Sequence, residues 1–222
     1  MALELSFCEI ERLINEIGEF HTYFSRTYYE SAKKYNLKTT QVRDVSSGEN
    51  GIKFMLDLML YIRKAGETLI PIPINYDSKR VEFRLRVKQP ESAINKIYHY
   101  KLTHEDGKIP LQKCLNDLVG FRIIIDSSFS YDDIKEYIEQ SPRIKVPLMK
   151  IYVRKDYDEE GKLSYIGVHA YFKSGNNSFF PWELQIWKGV DEQSNEFSHT
   201  QYKAKREYIS WADSYEKESE KS

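Results

Sequence analysis

The segment Arg86-Val87-Lys88-Gln89-Pro90-Glu91-Ser92-Ala93-Ile94-Asn95-Lys96 carries three cations at a spacing that could hold an anion. Arg86 and Lys88 stand two apart at the end of a strand-like run, so both project to one face. Pro90 suits the first position of a helix, on which Ser92 and Lys96, four apart, also share a face. A strand end, a helix N-terminus and three cations then converge. That arrangement suits a polyphosphate, because free N–H groups and the helix dipole add to the side-chain charge. Between Lys79 and Lys101 there are seven basic residues against two acidic ones. A solvated basic edge strand is the alternative reading of the same run.

Three further groups stand where chemistry is possible. Asp117 directly precedes the apolar run Leu118 to Ile125 (LVGFRIII), at the rim of a strand where a metal ligand or a turn cap would sit. Arg122 lies inside that run, and a charge there requires a specific partner. The stretch Tyr165 to Phe172 splits by alternation: Ile166, Val168, Ala170 and Phe172 on one face, Tyr165, Gly167, His169 and Tyr171 on the other. Gly167 leaves a gap between Tyr165 and His169 where a flat ligand could approach, or that face is a polar side with packing aromatics. In Trp182 to Trp187, Glu183 and Gln185 share a face, and Glu183 is either a metal ligand, a general base or an exposed strand residue.

The elements that must position these residues follow from periodicity. Ile10, Leu13, Ile14 and Ile17, continued by Phe20 and Phe24, predict a first helix, with Ser6 and Glu9 spaced as a capping box. A turn-like stretch, Ser46 to Gly51, precedes a second helix over Ile52 to Ala65, and Ile70-Pro71-Ile72-Pro73-Ile74 reads as an extended connector. Strands are predicted at Glu82 to Val87, Leu118 to Ile125 (buried on both faces), Leu148 to Arg154, Tyr165 to Phe172 and Trp182 to Trp187. A helix begins at Pro90, a short one covers Tyr131 to Glu139, and a last one runs from Asn195 into a charged tail, EKESEKS. The fold class is α+β, a mixed β-sheet flanked by helices. Residues 1–75 form a helical N-terminal region packed on the core, 76–212 the core domain and 213–222 the frayed tail.

Composition narrows the class. The 222 residues hold 33 Lys plus Arg against 34 Asp plus Glu, a net charge of -1, which excludes a polycation or an acidic tail protein. Aromatic residues reach 14%, too many for a chain disordered over most of its length. Cys8 and Cys114 form no CxxC pair, which argues against a disulfide scaffold or cysteine zinc site and favours a reducing cytoplasm. No apolar run approaches a membrane span, and the N-terminus lacks the charge pattern of a signal peptide.

In order along the chain stand Arg-x-Lys-x-x-x-Ser-x-x-x-Lys (86, 88, 92, 96), Asp-Leu-Val-Gly-Phe-Arg (117 to 122), Lys-Asp-Tyr (155 to 157), Tyr-x-x-x-His (165, 169), Glu-Leu-Gln-Ile (183 to 186) and His-x-x-Tyr-Lys (199, 202, 203). Together they resemble the RelA/SpoT synthetase domain over about Val81 to Lys203. Members of that family transfer the β,γ-pyrophosphate of ATP to a ribose 3′-hydroxyl. The resemblance implies a nucleotidyltransferase-like fold with Arg86, Lys88, Ser92 and Lys96 holding ATP. By it, Asp117 and Glu183 bind Mg²⁺, Glu183 alternatively activating the hydroxyl, and Tyr165 stacks on the acceptor base. Lys155, His169 and Gln185 orient groups around the phosphates. The chemistry is consistent, because phosphoryl transfer depends on charge neutralisation and positioning.

The sequence departs from the family pattern at the acceptor side. Ser164-Tyr165-Ile166 stands where guanosine-acceptor members have Gly-Tyr-Arg, and Trp187-Lys188 where Arg-Thr is usual. The segment from Lys155 to Tyr165, read as a loop, is acidic. The Trp-Glu-Leu-Gln-Ile-Trp form resembles the toxic small alarmone synthetases, some of which modify the 3′-terminal adenosine of tRNA and are paired with a protein antitoxin. Lys33 and Lys34, with Lys38, Arg43 and Tyr28, Tyr29 and Tyr35, supply a basic surface for a tRNA stem, or an ordinary solvated helix end. The alternatives are a synthetase of (p)ppGpp from GDP or GTP, and an RNA-binding module that keeps the fold without catalysis.

Overall fold

The computed structural model describes residues 7–69 and 81–204, with the side chains of residues 199 and 201–204 left aside. The Ser6 capping box, the connector 70–74, Lys79, Arg80, the charged tail and the side chains of His199, Tyr202 and Lys203 lie outside the described residues. Helices α1 (Phe7–Ser31) and α2 (Gly48–Leu69) precede β1 (Val81–Val87), α3 (Pro90–Thr103), the short α4 (Leu111–Cys114), β2 (Val119–Ile125) and α5 (Tyr131–Gln140). Then follow β3 (Leu148–Tyr157), β4 (Leu163–Phe172), β5 (Trp182–Lys188) and α6 (Glu192–Ala204). The sheet order is β1-β2-β5-β4-β3; β2 and β5 are parallel and every other pair is antiparallel, so the sheet is mixed.

Alternation gives this sheet two unlike faces. Phe121 and Ile123 of β2, Val168, Ala170 and Phe172 of β4, and Trp182, Leu184 and Ile186 of β5 join one continuous core. Onto it α1 buries Ile10, Leu13, Ile14, Ile17 and Phe24, and α2 buries Phe54, Leu58, Tyr61 and Ala65. Trp182 anchors the centre, stacked on Phe172 at 4.6 Å and edge-on to Phe121 at 5.5 Å. Close approach matters where α1 meets the segment before β3. A Cβ on Gly18 of α1 would sit 2.3 Å from Val146 Cγ2, so Gly18→Ala overpacks the contact between α1 and the segment before β3.

The structure departs from the sequence reading in the burial of β2 and in the extent of β3 and β4, and α2 and α6 begin earlier, at Gly48 and Glu192. Strand β2 is not buried on both faces, because Gly120 and Arg122 point into a polar pocket. The segment read as a loop from Lys155 to Tyr165 is mostly strand. β3 continues to Tyr157 and β4 begins at Leu163, joined by a tight turn whose Asp158 Oδ1 accepts from Glu160 and Lys162 N–H. Helix α5 has a capping box in which Ser130 and Asp133 exchange side-chain and backbone bonds, with Asp in place of the usual Glu or Gln.

Candidate active site

The polar face of the sheet is built in cross-strand rows. Arg86, Gly120, Glu183 and Tyr171 lie opposite one another across β1, β2, β5 and β4. The next row runs Arg84, Arg122, Gln185, His169 and on to Tyr152 of β3. Gly120 keeps the first row open between Arg86 and Glu183. Two adjoining lobes of about 110 and 190 Å³ share Arg86, Lys88, Asp117, Glu183 and Gln185 as walls.

One wall is cationic around a single carboxylate. Lys88 Nζ donates to Asp117 Oδ2 at 2.7 Å and Lys96 Nζ to Oδ1 at 3.0 Å. Asp117 therefore answers two ammonium groups from the strand end and from the second turn of α3. Burial alone would raise its pKa, but the charges of Lys96 and Lys88 and their hydrogen bonds outweigh this and hold it well below the usual carboxylate range. Lys96 is raised, its burial overcome by Asp117. Lys88 is lowered instead, because burial and the like charge of Lys96 prevail over the same carboxylate. The two lysines thus shift in opposite senses; the group is ionised as a whole, since Asp117 is shared and strongly acidic.

The opposite wall is a hydrogen-bond chain. Glu183 Oε1 accepts from His169 Nδ1 at 2.8 Å and from Tyr171 Oη at 2.9 Å, and Oε2 accepts from Gln185 Nε2 at 3.1 Å. His169 Nε2 meets Tyr165 Oη at 2.7 Å, and Tyr165 Oη accepts from Trp187 Nε1 at 3.0 Å. Burial would raise the Glu183 pKa, yet the hydrogen bond and charge of His169 and the Tyr171 hydroxyl keep it below the ordinary value. Burial raises both tyrosines, further lifted at Tyr171 by Glu183, so both phenols are donors. The pattern gives His169 its proton on Nδ1.

Helix α6 crosses this face. Its Glu192 and Glu196 both pair with Arg84, Glu196 at 2.6 Å, and Arg84 also meets Glu82 at 2.5 Å. Glu196 further accepts from Arg122 Nη1 at 2.9 Å, while Arg122 Nε and Nη2 donate to Gln185 Oε1 and its guanidinium lies 3.5 Å over the Trp187 ring. Fully buried Asn195 clamps the backbone of Ile166, accepting its N–H and donating to its carbonyl, at the point where β4 stops pairing with β5. The basic run of the sequence is accordingly not a free patch at Arg84, which α6 neutralises.

The pocket brings together Arg86, Lys88, Asp117, Tyr165, His169, Glu183 and Gln185, and Lys96 reaches it through Asp117. Ser92 does not line it; it is half-buried in the first turn of α3. Lys155 is a correction: opposite Ile166, it takes the other side of β3, and its neighbours Arg154 and Asp156 enter the pocket instead. The period of two in a strand leaves no other choice once β3 extends through this stretch. Of the two readings at Gly167 the structure takes the packed one: a Cβ there would lie 2.8 Å from Trp187 Cδ1, and the indole fills the space where a ligand could have approached. Tyr165, expected as an open stacking floor, is 3% exposed, with the Arg154 guanidinium 5.2 Å over its ring. Lys33 and Lys34 lie away from the pocket. Lys33 sits over the Tyr35 ring at 4.8 Å, and Lys34 edges a separate groove of about 730 Å³ along α1. Sequence reasoning missed Arg154, Asp156 and Glu196; strand alternation through 154 and 156 held the signal for the first two.

Residues 85–207, more than half of the chain, match the family model described as the region found in RelA / SpoT proteins. The chain belongs to that family. It is a pyrophosphokinase of the RelA/SpoT type, and every residue lining the pocket except Arg84 lies within the matched region. Among solved structures, small alarmone synthetase 2 from Bacillus subtilis shares 19% identity over 68% of this chain and 78% of its own, with a TM-score of 0.38. Small alarmone synthetase 1 from the same organism, bound to its product pppGpp, shares 16% over 74% and 87%, at 0.40. A GTP pyrophosphokinase family protein from Streptococcus pneumoniae shares 16% over 73% and 75%, at 0.37. Among curated proteins, none matches this chain.

Among the described residues no cluster of three or more His, Cys, Asp or Glu side chains could hold a metal by itself. Asp117 and Glu183, however, both face the pocket. Two carboxylates fit Mg²⁺ in the mode where substrate phosphates and water complete its oxygen shell. No helix among the described residues is long and apolar enough to cross a membrane.

Proposed function

We propose that this pocket transfers the β,γ-pyrophosphate of ATP to a ribose 3′-hydroxyl. The hydroxyl oxygen attacks the β-phosphorus, the bond from that phosphorus to the bridging oxygen of the α-phosphate breaks, and AMP leaves while the hydroxyl proton is released. One observation carries the reading: Lys88 and Lys96 converge on Asp117 across a narrow cavity from Glu183, with Arg86 opposite Gly120 at its mouth. Arg86, Lys88 and Lys96 would line the polyphosphate, the two ammoniums exchanging a carboxylate for phosphate oxygens. Asp117 and Glu183 would hold Mg²⁺, which neutralises phosphate charge when bound. Glu183, anionic and aligned by three donors, would accept the hydroxyl proton, and Gln185 and His169 keep it oriented.

For the acceptor we favour the 3′-terminal adenosine of tRNA, in the manner of a translation-inhibiting toxin held in check by an antitoxin. Support comes from the charge around Tyr165. Arg154, over its ring, is paired with Asp156 at 2.6 Å, and the adjoining turn holds Asp158, Glu159 and Glu160, an ill-suited setting for the 5′-phosphates of a free nucleotide. Lys33 and Lys34, both exposed, offer cations for a stem. The pppGpp bound to the Bacillus subtilis protein makes a guanine nucleotide the acceptor to test against. The protein is incubated with γ-labelled ATP, Mg²⁺ and, separately, GDP, GTP or deacylated tRNA. Label on tRNA supports the favoured acceptor, label on a guanine nucleotide replaces it, and RNA binding without transfer in any mixture overturns the enzyme reading.

A further inference from the structure

Trp187 has no role in the proposed transfer, yet two separate arms of the site start on it. It is fully buried at the end of β5. Its Nε1–H donates to Tyr165 Oη, its face carries the Arg122 guanidinium at 3.5 Å, and its edge fills the space over Gly167. The first arm runs from the indole N–H to Tyr165, from Tyr165 to His169 Nε2, and from His169 Nδ1 to Glu183 Oε1. The second runs from the indole face through Arg122 to Gln185 Oε1, and from Gln185 Nε2 to Glu183 Oε2. Both oxygens of one carboxylate are thereby oriented from one ring.

We propose that Trp187 is the positioning residue for Glu183, setting the direction of the hydrogen-bond chain that aims this carboxylate at the acceptor hydroxyl. The reason lies in donor and acceptor counts. A phenol oxygen has a single proton. With the indole N–H directed at that oxygen, the phenol proton is turned toward His169 Nε2, which accepts it and so satisfies the buried hydroxyl. The His169 proton consequently sits on Nδ1 and is given to Glu183. Without the first link the phenol can turn and accept from His169, which can then place its proton on Nε2, leaving Nδ1 facing a carboxylate as two acceptors in conflict. Gly167 is the matching requirement on β4, because any side chain there would displace the indole. The inference rests on the pyrophosphokinase reading for its catalytic consequence, and on hydrogen-bond geometry alone for the chain's direction.

Its test uses three variants of the full chain. Trp187→Phe keeps a ring under Arg122 and removes the N–H; Tyr165→Phe removes the relay oxygen; Gly167→Ala moves the indole. With each acceptor that the labelled-ATP assay accepts (GDP, GTP or deacylated tRNA), Trp187→Phe and Tyr165→Phe should each lower kcat about ten- to a hundredfold, the range for one orphaned buried hydrogen-bond partner. The KM for ATP should stay within about twofold, and the double variant should be no worse than the poorer single one. Nitrogen-15 histidine spectra should show His169 losing its pure Nδ1–H form in both while the backbone amide shifts of β4 and β5 stay in place, which separates the change from a general loosening of the fold. A Trp187→Phe protein with unchanged kcat and an unchanged His169 tautomer overturns the proposal, as does full additivity of the two losses. Should Trp187→Phe not fold, Tyr165→Phe decides the matter through the His169 spectrum and the Trp187 indole resonance, and Gly167→Ala through kcat. The spectra need no turnover, so they report the direction of the hydrogen-bond chain even in a protein without transfer activity.

Discussion

Two buried polar clusters lie on opposite faces of the same sheet and are handled in opposite ways. On the core side, His21 and Ser25 of α1 face Tyr61 of α2, all essentially without solvent exposure. His21 Nε2 has Tyr61 Oη at 3.4 Å, and its Nδ1 has no hydrogen-bond partner among the described residues. Among the described residues no carboxylate answers the ring, so burial pushes its pKa down to about 3 and it is neutral. On the pocket side, Lys88 is nearly as buried, yet it faces a carboxylate, and Asp117 and Glu183 are held ionised. Burial penalises charge in both places. What differs is the partner, and a site meant to meet a polyphosphate keeps its charges by pairing them until the ligand arrives.

Asp117→Asn should make the pocket resemble the core cluster and have the largest effect. Two ammoniums would then share a cavity without their counter-charge. Transfer from ATP should fall at least about a hundredfold, and urea unfolding at pH 7 should show a loss of about 3 kcal/mol. Full stability in that variant would break the comparison, since pairing would then not be what keeps the lysines charged.

The core cluster makes the converse prediction with pH. Because the folded pKa of His21 lies below its unfolded value near 6.5, the unfolded chain takes up the proton first. The contribution of a neutral His21 is whole above about pH 6.5 and is lost as pH falls toward about 3. In that window His21→Phe should flatten the stability profile by about 1.4 kcal/mol per pH unit relative to the parent. Parallel profiles for the two proteins would show that His21 is not kept neutral.

Smaller effects sharpen the pocket side. Arg154→Ala should reduce turnover about tenfold while Lys155→Ala stays within about twofold, since only the first lines the cavity. Equal losses in steady-state assays would mean that β3 presents its other face. Glu196→Gln removes one of the α6 carboxylates that occupy Arg84 and Arg122. These pairs are partly exposed, so the KM for ATP should fall only about two- to threefold, read from initial rates.

Much of the molecule is legible in its residues. The Ile10-Leu13-Ile14-Ile17 stripe, Pro90 at a helix start, and the two faces of Tyr165 to Phe172 all rest on local periodicity, and the structure agrees with each. Arg86, Lys88, Asp117 and Glu183 stand out because their charges fall at strand ends or on a polar strand face. Lys155 is misplaced because the acidic run after it reads as a loop, whereas hairpin pairing with β4 carries the strand on to Tyr157. Glu196 gives no signal at all. It is one charged residue in a polar helix, and nothing local says that α6 returns to lie across Arg84 and Arg122.

Residue order alone determined which side chains share a face, because alternation and helical spacing are properties of the local backbone. Tertiary structure decided which faces meet. Arg122 and Gln185 stand 63 residues apart in the chain, and only the parallel register of β5 on β2 sets them side by side and puts Glu183 next to Gly120. It also made Trp187 an organising residue and closed the gap that Gly167 opens. Pairing of distant strands is selected by burial summed over the whole sheet, a quantity that no short stretch of sequence contains.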